Sequence, residues 1–135
     1  MYLRERKPKQ DDKHLVQLAV TEFKVHPSII QKKLDGATGV TVLCDDADRI
    51  AGYVCYRINR HILFVDIVTL DSIYVGKGIV SSFLGIFLNQ VKGKGVKVIR
   101  GLVERNNKHA LAVFKHWGFT IKHVYLFTLL LEKRF

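Results

Sequence analysis

The sequence contains little proline, cysteine or acid. Its 135 residues include two prolines, two cysteines and 12 Asp and Glu. The prolines, Pro8 and Pro27, form no proline-rich linker, and the chain has no repeat or low-complexity segment. No apolar run is long enough to cross a bilayer, and the charged start is not followed by a hydrophobic segment, so neither a membrane helix nor a signal peptide is expected. We therefore expect one cytoplasmic domain over residues 1–135.

Neither the cysteines nor the histidines predict a metal site. Cys44 and Cys55 fall in strand-like segments, which favours buried, reduced thiols but leaves a disulfide open. The six histidines lack the spacing of metal ligands. His109 and His116 are seven residues apart, with no Cys or carboxylate between them. No metal is predicted.

Positive charge is in clear excess. There are 22 Lys and Arg, and the formal net charge is +10. Such a charge predicts attraction to polyanions such as nucleic acid, acidic protein or a phosphorylated cofactor. The basic residues are spread along the chain, and no motif of an RNA-binding sheet or recognition helix accompanies them. A solvated basic surface is the default interpretation. A nucleic-acid-associated protein remains an alternative that rests on charge alone and would show steep salt dependence.

Hydrophobic periodicity predicts a mixed α/β domain. Helical spacing alternates with short apolar runs bounded by turn residues. Asn107 can cap the last helix, and Gly118 can end it. The predicted helices cover residues 11–23, 27–34, 79–91 and 108–116. The predicted strands cover 2–7, 40–44, 50–58, 62–70, 96–103 and one or two strands within 119–131, of which Val124 to Leu131 is the clearest.

The junction between the strand at 62–70 and the helix at 79–91 predicts an anion site. It contains Gly76, Lys77 and Gly78. Backbone N–H groups in a first helical turn have no partner within the helix, the helix dipole adds positive potential, and glycine lets a phosphate approach the chain. The segment does not match the P-loop, and it lacks the third glycine of the Rossmann fingerprint. A different phosphate-binding loop is therefore predicted.

The chain resembles the GNAT superfamily of N-acetyltransferases. The order of elements fits over the whole length, and two motifs carry the resemblance. The family's cofactor loop, Gln/Arg-x-x-Gly-x-Gly/Ala, corresponds to Val75-Gly76-Lys77-Gly78-Ile79-Val80, preceded by Tyr74. Its downstream motif, Asn-x-x-Ala-x-x-x-Tyr-x-x-x-Gly-Phe, corresponds to Asn107, Ala110, Phe114, Gly118 and Phe119.

This resemblance implies a mixed, mostly antiparallel sheet of six to seven strands flanked by four helices. It also implies an acetyl-CoA-dependent enzyme that transfers an acetyl group to a primary amine of a small molecule or peptide by direct attack. By analogy, the pantetheine arm pairs with the backbone around Leu70 to Ser72, in a splay between the strands at 62–72 and 96–103. The Leu70 N–H points at the thioester carbonyl. The implied cofactor-binding residues are Leu70, Ser72, Val75, Gly76, Lys77, Gly78, Ile79, Val80, Asn107 and Phe114.

Three positions depart from the family pattern. Val75 replaces a Gln or Arg, and Val80 replaces a Gly or Ala, where a branched side chain crowds the pyrophosphate. Phe114 replaces the tyrosine that often protonates the departing thiolate, so Tyr125, Tyr74 or water would take that role. These departures keep open a second interpretation, a non-catalytic GNAT-like module that binds acyl-CoA or acts as a regulator.

Asp66 is a carboxylate within an otherwise apolar strand. It is a candidate general base for the acceptor amine, and the alternative is an ion pair with Arg57 on the neighbouring strand. The apolar segment from Val124 to Leu131 is also compatible with pairing across the two-fold axis of a homodimer.

Overall fold

The computed structural model describes all 135 residues. It contains seven strands, four α-helices and one short 3-10 helix. In chain order these are β1 (Tyr2–Glu5), α1 (Pro8–Phe23), α2 (Pro27–Gly36), β2 (Gly39–Cys44), β3 (Ile50–Asn59), β4 (Ile62–Leu70), the 3-10 helix Ser72–Tyr74, α3 (Ile79–Lys92), β5 (Val98–Glu104), α4 (Lys108–His116), β6 (Thr120–Val124) and β7 (Thr128–Arg134). None of the helices has the length and apolar character that a membrane crossing requires.

The strands form a mixed sheet in the order β1-β2-β3-β4-β5-β7-β6. β1 with β2, β2 with β3, β5 with β7 and β6 with β7 are antiparallel, whereas β4 with β5 is parallel. The predicted class, a mixed and mostly antiparallel sheet with four helices, is confirmed at seven strands.

The chain forms two compact units. Unit 1 comprises residues 1–57 and 66–77, and unit 2 comprises residues 58–65 and 78–135. In unit 1 the apolar faces of α1 and α2 cover the sheet, with Leu15 and Leu34 packed against Val42 and Tyr53. The Tyr53 hydroxyl donates a hydrogen bond to the Leu15 carbonyl, 2.8 Å away, so this buried phenol is satisfied. Cys44 and Cys55 are buried in the same core as free thiols, and burial raises the pKa of Cys55 to about 11.

Unit 2 is built around α3. This helix buries five apolar side chains along one face, namely Phe83, Leu84, Phe87, Leu88 and Val91. Gly85 lies against Trp117, and a Cβ at this position would stand 2.7 Å from the indole ring. Glycine is therefore required where the tryptophan packs on the helix.

The structure corrects two boundaries. Helix α1 begins at Pro8 rather than Asp11, because proline is suited to the first helical position and the Asp11 carboxylate accepts the N–H of Lys7 that precedes it. Of the one or two strands predicted within 119–131, the structure has two, so the single continuous strand from Val124 to Leu131 is wrong. Residues 125–127 form the turn between β6 and β7, and the Tyr125 N–H donates to the Thr128 carbonyl. The residues of this turn are apolar, which led to the prediction of a strand, but their side chains are exposed rather than buried. The predicted homodimer stays a prediction.

Candidate functional site

The glycine segment before α3 has the backbone of an anion-binding loop. Gly76 and Gly78 have φ values of +82° and +69°, a left-handed conformation that side chains rarely adopt. Gly78 is the N-cap of α3, and no side chain caps the helix there. A Cβ at either glycine would meet nothing within 4 Å. The first turn of α3 thus keeps its N–H groups available, with space for a ligand beside the chain.

The two valines of this segment differ in exposure. Val75 is 53% exposed, so its side chain points largely to solvent at the position where the family has Gln or Arg. Val80 is half-buried within the first turn of α3. Lys77 is exposed between the two left-handed glycines and adds positive charge to the loop.

The chain that leads into the loop is fixed by a carboxylate. The Tyr74 hydroxyl donates a hydrogen bond of 2.6 Å to Asp45 in the turn between β2 and β3. This bond and the N–H groups of Ala47 and Arg49 lower the pKa of Asp45 to about 2. The same bond raises the pKa of Tyr74. Tyr74 therefore anchors the segment before the loop, and its proton is engaged rather than free for a departing thiolate.

The end of β4 lies against a glycine of β3. A Cβ on Gly52 would stand 2.4 Å from the Thr69 carbonyl oxygen, so the close approach of these strands requires glycine. Directly after β4, the Asp71 N–H donates to the Ala51 carbonyl at 2.7 Å. The Asp71 carboxylate accepts the Ile73 N–H and starts the 3-10 helix that contains Ser72. These contacts hold the backbone from Leu70 to Ser72 in place. The resemblance implies that the pantetheine arm pairs with this backbone.

Asp66 forms the ion pair that the sequence left as an alternative. Its two oxygens accept the Nε and Nη2 of Arg57 at 2.7 and 2.9 Å. The Asp66 side chain is 8% exposed, whereas that of Arg57 is 56% exposed. The carboxylate raises the pKa of Arg57, which stays charged. This bidentate pair occupies the oxygens that a general base would use.

Glu22 is a candidate that sequence reasoning missed. It lies in the last turn of α1, and its carboxylate accepts a short hydrogen bond from the hydroxyl of the buried Thr69, next to Leu70. Burial around the carboxylate raises the pKa of Glu22, although the residue as a whole is exposed, and the Thr69 hydroxyl partly opposes the shift. A glutamate on the polar side of an amphipathic helix carries no sequence signal of this contact.

In unit 2, α4 presents the downstream motif. The Asn107 side chain accepts the Ala110 N–H at 3.1 Å, which confirms the predicted N-cap and leaves the amide NH₂ as a donor. The Phe114 ring packs edge-on against Phe119, with centroids 5.2 Å apart. Phe114 thus completes an aromatic contact and supplies no hydroxyl.

Tyr125 lies in the turn between β6 and β7. Its ring is 4.5 Å from the ring of His123 between centroids, and the residue is 47% exposed. Its backbone carbonyl lies 3.5 Å from an Nη of Arg105. The residue as a whole is thus partly accessible to solvent. No three His, Cys, Asp or Glu side chains come together in an arrangement that could hold a metal.

Comparisons with known proteins show which family the chain is similar to. The pattern of the Acetyltransferase (GNAT) family matches residues 7–119. No curated protein matches the sequence at a significant level. A putative phosphinothricin N-acetyltransferase is similar in structure, with a TM-score of 0.84, 17% identity and coverage of 98% of this chain and 97% of that one.

Two further structures are similar at low identity. The ribosomal-protein-S18-alanine N-acetyltransferase from Escherichia coli has a TM-score of 0.82 and 13% identity, with coverage of 98% of this chain and 92% of that one. The paiA N-acetyltransferase from Thermoplasma acidophilum, solved in complex with coenzyme A, has a TM-score of 0.80 and 16% identity, with full coverage of both chains. At these identities the likeness shows the fold, while the family match covers most of the chain. The chain belongs to the GNAT acetyltransferase family.

Proposed function

We propose that the protein is an acetyl-CoA-dependent N-acetyltransferase that acts on a primary amine of a small molecule or peptide. The observation that carries this proposal is the pair of left-handed glycines, Gly76 and Gly78, which leave space beside an uncapped helix start in a chain of the GNAT family. Phosphate oxygens suit such a helix start because it combines unpaired N–H donors with positive potential.

The residues that would hold acetyl-CoA fall into three groups. The N–H groups of the loop and of the first turn of α3 would take the pyrophosphate, with Lys77 adding charge. The backbone of Leu70 and Ser72 would take the pantetheine arm, and Asn107 and Phe114 would contact the rest of the ligand. When bound, acetyl-CoA supplies the acetyl group as a thioester. The cofactor-binding residues thus proposed are Leu70, Ser72, Val75, Gly76, Lys77, Gly78, Ile79, Val80, Asn107 and Phe114.

Glu22 is better suited than Asp66 to act as the general base. A base must be anionic near neutral pH yet basic enough to accept a proton, and the raised pKa of Glu22 moves it in that direction. Both oxygens of Asp66 are instead engaged by Arg57. In this proposal the acceptor ammonium gives one proton to the Glu22 carboxylate, and the free amine forms the new C–N bond while the Leu70 N–H stabilises the oxyanion.

In the last step of the reaction, the sulfur of the leaving group is protonated. As the C–S bond breaks, the electron pair stays on sulfur, which takes a proton from the Tyr125 hydroxyl or from water, and the amide nitrogen loses its second proton to solvent. Tyr125 is the favoured donor among the tyrosines because the residue is partly exposed, whereas the Tyr74 proton is engaged with Asp45. Proximity of the two reactants supplies most of the remaining rate enhancement.

A non-catalytic acyl-CoA-binding module is the second candidate. The contact between Phe114 and Phe119 favours it, because the position where the family often has a tyrosine is filled by a hydrocarbon ring. Measurements of acetyl-CoA binding and of turnover distinguish the two candidate functions.

Calorimetric titration with acetyl-CoA, and with S-acetylpantetheine, which lacks the pyrophosphate, as a control, tests the proposal first. Micromolar binding of acetyl-CoA, much weakened for S-acetylpantetheine, is expected. Release of free thiol is then followed over a panel of small amines and peptide N-termini. Binding with turnover supports the enzyme, binding without turnover on any acceptor supports the module, and no binding at millimolar acetyl-CoA refutes both.

The Glu22→Gln variant tests the base, with Asp66→Asn as its counterpart. Glu22→Gln is expected to lower kcat at least 100-fold at neutral pH, to remove the acidic limb of the pH profile and to leave acetyl-CoA binding within twofold. If Asp66→Asn alone removes that limb, the base is Asp66.

A further inference from the structure

Positive charge is concentrated in unit 2. This unit contains eleven Lys and Arg against two Asp and Glu, a net charge of +9, whereas unit 1 contains eleven against ten, a net charge of +1. One of the two acids, Glu132, is already occupied by Arg100 and Arg134 at 2.7 and 2.9 Å. Most of the cations of unit 2 therefore have no carboxylate within salt-bridge distance.

Two of these cations, Lys92 and Lys133, contact the Phe135 ring, and Arg60, Lys94 and Lys97 lie in the backbone segments that meet beside it. We call these five cations together with Phe135 the basic surface. Three backbone contacts assemble it. The Lys97 N–H donates to the His61 carbonyl at 2.8 Å, the Val98 N–H to the same carbonyl at 3.2 Å, and the Phe135 N–H to the Lys97 carbonyl at 2.9 Å. The turn after β3, the segment after α3 and the end of β7 thus meet at one place.

Two ammonium groups lie over the aromatic ring of Phe135. The Nζ atoms of Lys92 and Lys133 are each 5.9 Å from the centroid of Phe135, which is 43% exposed. Two like charges this close to one ring repel each other, and the ring offsets only part of that repulsion. A phosphate that contacts both ammonium groups would remove the repulsion, and the exposed part of the ring remains open to a flat, aromatic ligand.

The basic surface is distinct from the proposed acetyl-CoA loop. Lys92 is the last residue of α3, and the loop adjoins its first residue, Ile79. A helix of 14 residues separates them by about 20 Å. The surface also lies at the C-terminus of α3, where the dipole is negative, so its attraction for anions comes from side-chain charge rather than from N–H groups.

We propose that the basic surface binds a single-stranded nucleic acid. Its lysines would contact successive phosphates, and one base would stack on Phe135. Exposed aromatic rings flanked by cations suit single strands because every base offers a flat face for stacking. An acidic protein would use the charges but not the ring, and a bilayer would require a wider apolar surface around it. This proposal is independent of the proposed acetyltransfer.

Fluorescence anisotropy with a labelled dT20 strand tests this surface. For four to five phosphate contacts we expect the logarithm of the association constant to fall with the logarithm of salt concentration with a slope of about −3. The triple variant Lys92→Gln, Lys94→Gln, Lys97→Gln should bind more than tenfold more weakly at 100 mM salt, and its slope should be smaller by about 2. Saturating acetyl-CoA should leave binding of the strand unchanged.

The matched control removes three positive charges from unit 1. Lys9, Lys13 and Lys32 are exposed there, and changing all three to Gln should weaken binding less than threefold.

Phe135→Ala should weaken binding about tenfold with an unchanged salt slope, and Phe135→Trp should restore it. Thermal melting of each variant confirms that it is folded.

Three outcomes would overturn the proposal. Equal losses in the two triple variants would mean that net charge alone attracts the strand. Competition by polyglutamate as effective as by unlabelled dT20, with Phe135→Ala unaffected, would make the surface a site for acidic protein. Binding to phosphatidylserine vesicles but not to dT20 would make it a membrane contact.

Discussion

Unit 1 and unit 2 carry equal numbers of basic residues and use them differently. In unit 1, Arg4 of β1 forms a bidentate pair with Asp11 of α1, and Arg6 contacts Asp12 and Asp35. These pairs join the first strand to the helices that cover it. In unit 2 one buried carboxylate, Glu132, is shared by two arginines, and most other cations point to solvent. The same residue types therefore hold structure together in one unit and remain available for anionic ligands in the other.

The largest expected effect is the loss of a paired carboxylate in unit 1. Asp11 is 1% exposed, and Asp11→Ala would leave Arg4 without its partner in a half-buried position. Breaking a buried pair in this way typically lowers the free energy of unfolding by about 3–5 kcal/mol. Chemical denaturation measures the change. The control is Asp46→Ala, which removes an exposed pair with the N-terminus and should change the free energy by less than about 0.5 kcal/mol.

Lowering the pH should reduce the stability of unit 1 before that of unit 2. Ion pairs and hydrogen bonds lower the pKa values of Asp11, Asp12 and Asp45, the last to about 2. A carboxylate with a lowered pKa contributes stability above its unfolded pKa near 4, and this contribution is lost as the pH falls through the folded value. Amide hydrogen exchange between pH 6 and pH 2.5 should show protection falling at least about tenfold more in unit 1. Equal losses in both units would contradict this comparison, because unit 2 contributes only Glu132.

A glycine substitution can separate ligand binding from backbone strain within unit 2. Gly78 and Gly95 both have positive φ and open space around a Cβ, so Ala at either position should cost about 1 kcal/mol of stability. Only Gly78→Ala places a methyl group where the proposed phosphate approaches. Calorimetry should show at least tenfold weaker acetyl-CoA binding for Gly78→Ala and an unchanged affinity for Gly95→Ala. Equal affinities would remove Gly78 from the proposed site.

The smallest expected effect is that of one lysine of the basic surface on the free energy of unfolding. Lys94 is exposed and pairs with no carboxylate within unit 2, so Lys94→Gln should change the free energy of unfolding by less than about 0.5 kcal/mol. The sign should be stabilising at low salt, because one repulsive charge is removed. Melting curves at 20 mM and 500 mM salt test this sign. A destabilising effect at low salt would indicate a structural role for this lysine.

Local patterns predicted some elements closely. The apolar run Ile62 to Leu70 is β4 as predicted, and Asn107 and Gly118 bound α4 at the predicted residues. Both depend on interactions between residues close in the chain, which periodicity and capping rules describe well. The turn at residues 125–127 was mistaken for strand because Tyr125, Leu126 and Phe127 are apolar yet exposed.

Contacts between distant residues could not be predicted. Glu22 and Thr69 are 47 positions apart, and Tyr74 and Asp45 are 29 apart, so no spacing rule connects them. The imbalance of charge is largely visible in the sequence, because ten of the twelve acids precede residue 72 and residues 58–65 add only Arg60 to unit 2. The glycine motif was visible in the sequence, but the left-handed backbone that makes it suitable for phosphate was seen only in the structure.

The contact between Trp117 and Gly85 gives the molecule a built-in optical label. Trp117 is the single tryptophan of the chain and lies in unit 2, and its indole N–H is buried without a hydrogen-bond partner. An indole shielded from water emits at shorter wavelength than an exposed one, so its emission reports on the packing of this side chain against α3. Four of the five tyrosines lie in unit 1. Excitation at the long-wavelength edge of the absorption band, which selects tryptophan over tyrosine, can therefore follow unit 2 by itself, without any dye attached to the chain.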